Sequence, residues 1–418
     1  MNSSDISQTT LPNNLKILCI PFPNTESVYV TLIGKVGRRA ELENEVGAAH
    51  LVEHLFFDGT SKRPSPLAVN EYLERYGGQH NGVTNQETVR YYVKILSEYS
   101  EVAFEYLSDI FFNSKLENLE KEKQVIKQEA ATKRDDPVTN LARLRSNQLY
   151  PKQAIGRTIF EEEENLSNMN KEILKNYIAR TYVTENFVLV ACGKIHKEEI
   201  LLLAEKYFSQ FKVGNKISYT PAKIEKSQKI DLYPKNLSQT KVSICFRGFP
   251  ELTNKEIQAQ ILSIFLGRGF SSRLVDRIRN ELHLAYFIRS SHHSFSDTGF
   301  FAIDTHVREN DLQLAVSEIF KEIRKVVSGD LKKEELEKAK NMLLSSYLFG
   351  LEELEAYSQY FGIQVLFDKE IKGIDYIKKE INGTTLSDII DTAKYIFTDK
   401  PKIVALTKNL KELYIEKG

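Results

Sequence analysis

The feature that most limits how this 418-residue chain can fold is an approximate internal repeat. The segment NSKLENLEKEKQVIKQEA, which begins at residue 113, resembles SGDLKKEELEKAKNMLLSSYL, which begins at residue 328, with Leu116 aligned to Leu331. The apolar periodicities around these segments predict the same order of strands and helices in both halves. A chain of this length also accommodates two domains of ordinary size. We therefore expect two homologous domains, at residues 1–215 and 228–418, joined by a polar linker at residues 216–227.

The apolar pattern of each half predicts a sheet of about five or six mostly antiparallel strands with helices packed on one face. This is an α+β architecture. Two such domains are expected to face each other across a chamber. The predicted strands lie at 15–21, 28–36, 79–96 (a hairpin), 187–192, 240–246 and 285–307 (a pair). The predicted helices lie around residue 50 and at 66–76, 99–113, 116–134, 171–182, 196–211, 256–266 and 272–281, and two further helices follow the strand pair.

The most chemically specific segment is HLVEH at residues 50–54. On a helix, side chains four residues apart share a face with Cβ atoms roughly 5–6 Å apart, so His50 and His54 can bind one Zn²⁺. Glu53 lies beside that position and can accept a proton from a water whose pKa zinc lowers to about 7. A lone histidine on an apolar helix face is usually a core residue, but two histidines and a glutamate in this order favour a metal site. HxxEH is the inverse of the commoner HExxH motif, and it predicts a zinc hydrolase with one zinc ion per chain.

The third ligand has to come from another part of the chain, because a catalytic zinc takes three protein ligands and leaves one position open. A helix rich in Glu, Lys and Gln follows about 70 residues later and stops at Pro137. Its Glu122 and Glu129 are seven residues apart and therefore lie on one side of the helix. Val125 and Ile126 indicate that this side is partly turned inward, where a carboxylate needs a partner. Spacing alone does not choose between the two glutamates.

These residues together resemble the zinc site of the pitrilysin/insulinase family of inverted-motif peptidases, which includes the mitochondrial processing peptidases. In that family a glutamate ligand follows the second histidine of HxxEH by about 75 residues, and Glu129 follows His54 by 75. The resemblance implies that His50, His54 and Glu129 bind zinc and that Glu53 is the general base. Glu122 matches a second acidic residue of the family, which supports the site from behind a ligand.

Another match is GGQHNGVT at residues 77–84, which resembles the family segment GGxxNAxT. The resemblance implies that Asn81 holds the substrate backbone near the zinc, on an edge strand to which a peptide can add. The alternative for Asn81 is a turn residue in a glycine-rich loop. Gly82 replaces the usual alanine, which we expect to loosen the strand slightly. The family gives no role to His80, which we expect to be exposed or to lie on the substrate side.

The second half carries matches of its own. FLGRGFSSRL at residues 265–274 resembles the family's LGxGxxSRL turn, and IRNELHLAY at residues 278–286 resembles IRExxGLAY. The resemblance implies that Arg279 and Tyr286 contact the substrate, where their donors can stabilise a developing oxyanion. The alternatives are a surface ion pair for Arg279 and a core position for Tyr286. His283 occupies the usual position of a glycine, so the local turn is expected to differ.

The metal ligands have no counterparts in the second half. Near the HLVEH helix an offset of about 208 residues aligns Gln258, Ile261 and Leu262 with His50, Glu53 and His54. On the offset that aligns Leu116 with Leu331, Leu344 takes the position of Glu129. We therefore expect the first half to bind metal and the second half to contribute only substrate contacts.

Composition is that of an ordinary globular protein, with 57 acidic residues against 57 Lys and Arg. This zero net charge gives no indication of nucleic acid or an anionic membrane as a partner. Cys19, Cys192 and Cys245 are far apart in apolar runs, which predicts buried free thiols in a reducing compartment. No apolar run approaches the 18 or more residues that span a bilayer, and the first residues resemble neither a signal peptide nor a presequence. We expect a cytoplasmic protein.

These features predict a zinc-dependent endopeptidase that cleaves unfolded peptides. Relatives of about this length tend to act as dimers, and a chain carrying both HxxEH and the Arg/Tyr pair is expected to form a homodimer. A heterodimer with a paralogous chain is the alternative. Two other functions stay open: a catalytically silent scaffold subunit, and a maturation factor that processes one dedicated peptide.

Overall fold

The computed structural model describes residues 6–410 and 413–415. Its strands are β1 (Ser7–Thr10), β2 (Lys16–Pro21), β3 (Ser27–Gly34), β4 (Gln79–Thr84), β5 (Val89–Leu96), β6 (Phe187–Gly193), β7 (Lys229–Pro234), β8 (Thr240–Arg247), β9 (Ala285–Ser294), β10 (Gly299–Val307) and β11 (Lys402–Thr407). Its α-helices are α1 (Ala48–Phe57), α2 (Pro66–Glu74), α3 (Ser100–Asn113), α4 (Leu119–Asp135), α5 (Pro137–Leu149), α6 (Ile159–Asn165), α7 (Lys171–Thr181), α8 (Lys197–Phe208), α9 (Asn254–Gly267), α10 (Leu312–Val327), α11 (Lys333–Gly350), α12 (Leu354–Leu366), α13 (Ile374–Gly383) and α14 (Leu386–Phe397). A π-helical segment, Val275–Glu281, precedes β9.

The chain forms two compact units. Each unit consists mainly of one half of the sequence and includes one segment from the other half. The first unit comprises the residues up to Ala131, Arg157–Thr220 and Phe349–Asp375. The second unit comprises Thr132–Gly156, Pro221–Leu348 and the residues from Tyr376 onward. The break after Thr220 lies within the predicted linker, but two segments belong to the unit opposite to the one that the linear division assigns.

In the described part of the chain, the sheet of the first unit has six strands in the order β1-β2-β6-β3-β5-β4. β2 pairs with β6 in parallel and the other neighbours are antiparallel, as predicted. Val30 lies opposite both Val93 and Ala191, which places three apolar side chains on the same face. β4 is an edge strand, so its outer backbone groups pair with no strand of the described residues.

Alternate side chains of this sheet enter two different apolar layers. Val30 and Leu189 pack against the layer that contains α1, α3 and α8. Ile33 and Val190, which point to the other face, pack against α12, where Phe361 is buried among them. Side chains alternate between the two faces of a strand, and here both sets are apolar. Both faces of the sheet therefore need a covering layer.

The sheet of the second unit has five strands among the described residues, in the order β7-β11-β8-β10-β9. β7 pairs with β11 in parallel and the other pairs are antiparallel. On one face, Phe246 and Phe301 contact Phe397 of α14, with ring centroids 4.9 and 5.4 Å away. On the other face, Cys245 packs with Leu149 of α5. Each sheet is thus covered on both faces.

The α+β class and the mainly antiparallel sheets are as predicted, but the expectation that helices cover only one face is wrong. The strands of both sheets carry apolar residues on both faces. Leaving either face of a sheet exposed to water would cost free energy. α12 covers the second face of the first sheet, and α5 covers that of the second sheet. These two helices are the exchanged segments.

Two further predictions concern the cysteines and membranes. Cys19, Cys192 and Cys245 are buried free thiols, as expected, and burial raises the pKa of Cys19 to about 11. Among the described helices, none combines the length and the apolar character that crossing a bilayer requires.

Candidate metal and catalytic site

The predicted histidines lie on α1, whose first turn is held by a carboxylate from outside the helix. One oxygen of Glu41 accepts the backbone N–H groups of Gly47 and Ala49, at 3.1 and 2.9 Å. Both N–H groups lie at the start of the helix, where backbone N–H groups have no hydrogen-bond acceptor within the helix itself. Burial raises the pKa of the Glu41 carboxyl to about 8, and the nearby charge of Glu162 adds to this effect.

The structure brings His50, His54 and Glu129 together. One ligand atom from each of the three lies within 4.8 Å of the others, and Nε2 of His50 is 3.5 Å from Oε2 of Glu129. The two imidazole rings stand nearly perpendicular, with centroids 4.8 Å apart. Among the described residues this is the one such group of three His, Cys, Asp or Glu side chains.

Glu122 and Glu129 lie on α4 and take different places. Oε2 of Glu122 lies 3.0 Å from Nδ1 of His54, and Glu122 is not one of the group of three. Ile126 between them is buried, which anchors that side of α4 to the core. Val125, which the sequence also places on the inward side, is instead 37% exposed, because it lies one residue further round the helix.

Each histidine has a carboxylate against its Nδ1 atom. Oε2 of Glu162 lies 2.8 Å from Nδ1 of His50, and Glu122 occupies the same position at His54. A carboxylate only accepts hydrogen bonds, so each contact places the ring proton on Nδ1 and leaves the lone pair on Nε2. Both imidazoles are thereby set in the tautomer that binds a metal through Nε2.

Glu162 is a site residue that the sequence analysis did not identify. It lies on α6, is fully buried, and also accepts a hydrogen bond from Nε of Arg38. Burial acts to raise the pKa of Glu162, but the charge of Arg38 and the hydrogen bond from His50 outweigh it and lower that pKa to about 2. The side chain is therefore a carboxylate throughout the physiological pH range.

A signal for Glu162 does exist in the sequence. Thr158 and Glu161 form a capping box, which starts a helix at Ile159. Glu162 then lies four residues before the buried Leu166, on the same face of the chain. The run of four glutamates hides this pattern, because such a run usually indicates a solvated face.

Glu53 projects from the same helix toward β4. Its Oε2 accepts a hydrogen bond from the hydroxyl of Thr84. A Cβ atom at Gly82 would lie only 2.5 Å from Cγ of Glu53. The glycine that replaces the usual alanine therefore gives Glu53 room beside the strand, a consequence that is separate from the expected loosening of β4.

Asn81 and His80 line a cavity of about 360 Å³ together with Glu53, His54 and Glu122. Asn81 is exposed on the edge strand, and its Oδ1 accepts the backbone N–H of Gly82 at 2.9 Å. The amide nitrogen of Asn81 points to no hydrogen-bond acceptor among the described residues. His80 is half-buried rather than exposed, since its ring stacks on Phe57 with centroids 5.0 Å apart.

Arg279 and Tyr286 lie in the second unit and contact each other. The guanidinium carbon of Arg279 is 4.8 Å from the ring centroid of Tyr286 and 5.7 Å from that of Phe270. Tyr286 is 77% exposed, which excludes the core position considered from the sequence. His283 has a φ of 52°, a left-handed conformation that glycine adopts at lower cost. The turn thus keeps the backbone shape that a glycine would favour.

The folds of solved structures define the general class. A protease from Helicobacter pylori superposes with a TM-score of 0.88 at 21% identity, covering 96% of this chain and 99% of that one. A structure described as a peptidase M16 inactive domain from Pseudomonas fluorescens also gives a TM-score of 0.88, at 15% identity and with 98% and 99% covered. The chain has the two-unit α+β fold of these proteins.

Sequence comparison identifies the family. Residues 16–163 match the model of the insulinase family, peptidase family M16, and residues 168–343 match the peptidase M16 inactive domain. An uncharacterized zinc protease of Rickettsia felis is 34% identical over 392 residues, 93% of this chain and 94% of the relative. Subunit beta of the mitochondrial-processing peptidase of Saccharomyces cerevisiae is 30% identical over 421 residues, 95% and 90% of the two chains. The chain belongs to peptidase family M16.

Proposed function

We propose that this protein is a zinc-dependent endopeptidase that hydrolyses unfolded peptides. The observation that carries the proposal is the group formed by His50, His54 and Glu129, in which both imidazoles have Nδ1 held by a carboxylate. Two neutral imidazoles and one carboxylate are the donor set of a catalytic zinc that keeps a position open. All three residues lie within 16–163, the part that matches the insulinase family model.

The donor set fits one zinc ion per chain, with His50, His54 and Glu129 as its ligands. When bound, zinc would polarise the scissile carbonyl and lower the pKa of a water molecule. Glu53 accepts the proton of that water and delivers it to the leaving amine, as a general base and then a general acid. Thr84 orients the Glu53 carboxylate through its hydroxyl. Glu122 and Glu162 hold the two imidazoles.

The substrate contacts are assigned to three further residues. Asn81, exposed on the edge strand β4, positions the peptide backbone beside Glu53 in the same cavity. Arg279 and Tyr286 of the second unit supply donors to a substrate carbonyl or to the developing oxyanion. The exposure of Tyr286 and its stacking with Arg279 support this role, because neither side chain is committed to a core. Enclosure of the peptide in a chamber stays a prediction.

Replacing Glu53 by Gln tests the proposal. The variant should retain about one zinc per chain by elemental analysis and lose cleavage of a quenched fluorescent peptide by at least about 100-fold, the scale of general base catalysis. Chelator should abolish cleavage by the unaltered protein, and zinc should restore it. Glu74→Gln is the matched control, since Glu74 is exposed on α2 of the same unit. Full activity of Glu53→Gln would mean that the base is wrongly assigned.

Other outcomes of the same measurements lead to the alternative functions. Failure to bind metal after zinc is added would overturn the proposal and favour the scaffold subunit. Zinc binding with cleavage of one peptide in a panel of unrelated sequences would indicate a dedicated maturation factor. The intact His–His–Glu group favours the enzyme over the scaffold.

We also propose that the chain forms a homodimer in the cytoplasm. The metal group and the Arg279–Tyr286 pair are both present in one chain, so a second, different chain is not needed to supply them. Three buried free thiols suit a reducing compartment. A monomer at micromolar concentration in equilibrium sedimentation would exclude the dimer, and activity only after addition of a paralogous chain would favour the heterodimer.

A further inference from the structure

A second cavity lies in the second unit, beside the edge strand β9. It has a volume of about 390 Å³, within the range of cavities that bind small ligands or parts of larger ones. Residues from α9, β9, α11 and the turn after α9 line it. The polar ones with the largest side chains are Gln260, Arg268, Arg289, His292, His293 and Tyr347.

The two arginines give the lining of this cavity a positive charge, since none of its lining residues is an aspartate or glutamate. Arg268 donates one side-chain hydrogen bond, from Nη2 to the hydroxyl of Ser346 at 3.0 Å. Neither Arg268 nor Arg289 forms an ion pair with any residue in the described ranges. Both guanidinium groups line the same cavity, and burial and the charge of Arg289 lower the pKa of Arg268.

The acidic side chains nearby are already engaged. Asp304 lies opposite Arg289 in the pairing of β9 with β10, but it forms an ion pair with Arg145 at 3.2 Å. Glu256 of α9 accepts hydrogen bonds from the side chains of Gln260 and Ser294 and from a backbone N–H. An anion from outside the chain would therefore find unmatched donors in this cavity.

The internal repeat makes the contrast with the first unit informative. In the first unit the corresponding elements, α1, β4 and α4, contribute to a cavity lined by three carboxylates and one lysine, namely Glu53, Asp58, Glu122 and Lys121. In the second unit, α9, β9 and α11 surround a cavity lined by Arg268 and Arg289. Both cavities lie beside an edge strand. The repeat has thus kept a cleft along a strand edge while the charge of its lining has reversed.

We infer that this second cavity binds a carboxylate of an extended peptide, held by Arg268 and Arg289 next to the free edge of β9. Guanidinium groups bind carboxylates through paired, charge-assisted hydrogen bonds. The unpaired backbone groups of an edge strand can hydrogen-bond an extended chain. The inference rests on the proposed function, because it takes a peptide as the molecule that supplies the carboxylate. That carboxylate belongs either to an acidic side chain or to the carboxyl terminus.

Binding to the Glu53→Gln protein tests this inference without requiring cleavage. Fluorescently labelled peptides of one sequence would be compared by anisotropy in three forms: with an internal Glu, with Gln in its place, and with the Gln form amidated at its carboxyl terminus. The Arg268→Gln/Arg289→Gln double variant is compared with the same protein carrying both arginines. Arg324→Gln is the control, because Arg324 lies on α10 of the same unit and outside the cavity.

We expect the protein with both arginines to bind at least one carboxylate form about 10-fold or more tightly than the matched neutral form. The double variant should lose this preference and bind the neutral peptide unchanged, with an unaltered circular dichroism spectrum. Arg268→Lys keeps the positive charge but lacks the planar guanidinium group, so this variant should lose part of the preference for the carboxylate form. Loss of the internal-Glu preference assigns the site to acidic side chains, and loss of the free-terminus preference assigns it to the carboxyl terminus. The absence of any preference, or its survival in the double variant, would overturn the inference.

Discussion

The two histidines of the site are fixed by carboxylates that come from different helices. Glu122 of α4 holds His54, and Glu162 of α6 holds His50. Only Glu162 is fully buried and paired with an arginine, Arg38. Removing one partner of a buried ion pair leaves an uncompensated charge and is costly. Glu162 is therefore held in place more firmly against His50 than Glu122 is against His54.

Glu162→Gln should weaken zinc binding by about 10–100-fold, the usual effect of removing a carboxylate behind a metal-binding histidine. Glutamine keeps the size of the side chain but removes the charge that favours the required tautomer of His50. Competition with a chelator of known affinity measures the change on metal-free protein. Glu164→Gln is the control, because Glu164 is an exposed neighbour on α6. Equal zinc affinity of both variants and the original protein would exclude this role.

The candidate ligands could be proposed from the sequence because they occupy fixed intervals on two helices, and the structure brings them together. His50 and His54 are one turn apart, and Glu122 and Glu129 are two turns apart, so helical geometry alone puts each pair on one side. The choice between the two glutamates depends on how α4 packs against α1, which no local spacing encodes. Glu162 reaches His50 across 112 positions of the chain, and only the tertiary fold brings them together.

At the scale of elements, α12 is the helix that the sequence analysis could not place. It lies late in the second half, where the sequence analysis assigns no helix, yet it packs on β3 and β6 of the first sheet. The strands themselves carry the relevant signal, because β6 is buried at every position. A strand that is apolar on both faces requires two covering layers, but it does not indicate which helix supplies the second one.

Gly362 of α12 marks where this helix touches the sheet. A Cβ atom there would lie 2.6 Å from Cδ1 of Ile33 and 3.0 Å from Cγ2 of Val190, both in the core. Gly362→Ala should therefore destabilise the protein by about 1–3 kcal/mol through overpacking, although alanine is the better helix former. Chemical denaturation measures the change.

Gly350 at the end of α11 provides the control, because a Cβ atom there meets nothing within 4 Å. Gly350→Ala should leave the free energy of unfolding unchanged or raise it by up to about 1 kcal/mol. If Gly362→Ala were stabilising to the same extent, α12 would not pack closely on the first sheet.

For the whole molecule, the exchange of α5 and α12 between the halves changes what counts as a domain. The internal repeat correctly indicates two similar sheets, since both halves carry the same order of elements. It does not reveal the exchange, because a repeat aligns sequence positions and is silent about which sheet each helix covers. The second face of the first sheet is completed by residues 349–375, far beyond the break after Thr220.

A fragment of residues 1–220 should therefore not fold on its own. Without Phe361 and its neighbours, the face formed by Ile20, Tyr29, Ile33 and Val190 would be exposed to water. We expect aggregation and no cooperative thermal transition by circular dichroism. The same fragment joined through a flexible linker to residues 349–375 should recover a cooperative transition. Cooperative unfolding of the shorter fragment would mean that α12 is dispensable.

The exchange also has a consequence for the order of events during synthesis. A ribosome adds roughly 5–20 residues per second, so α12 emerges on the order of ten seconds or more after the strands that it covers. During that interval the first unit has all of its sheet and the three candidate metal ligands but lacks the helix that covers the second face of the sheet. Most of the second unit is synthesised before α12 is available to complete the first unit. The nascent chain therefore presents a large apolar sheet surface, of the kind that chaperones shield, at a stage when its proposed catalytic residues have already been made.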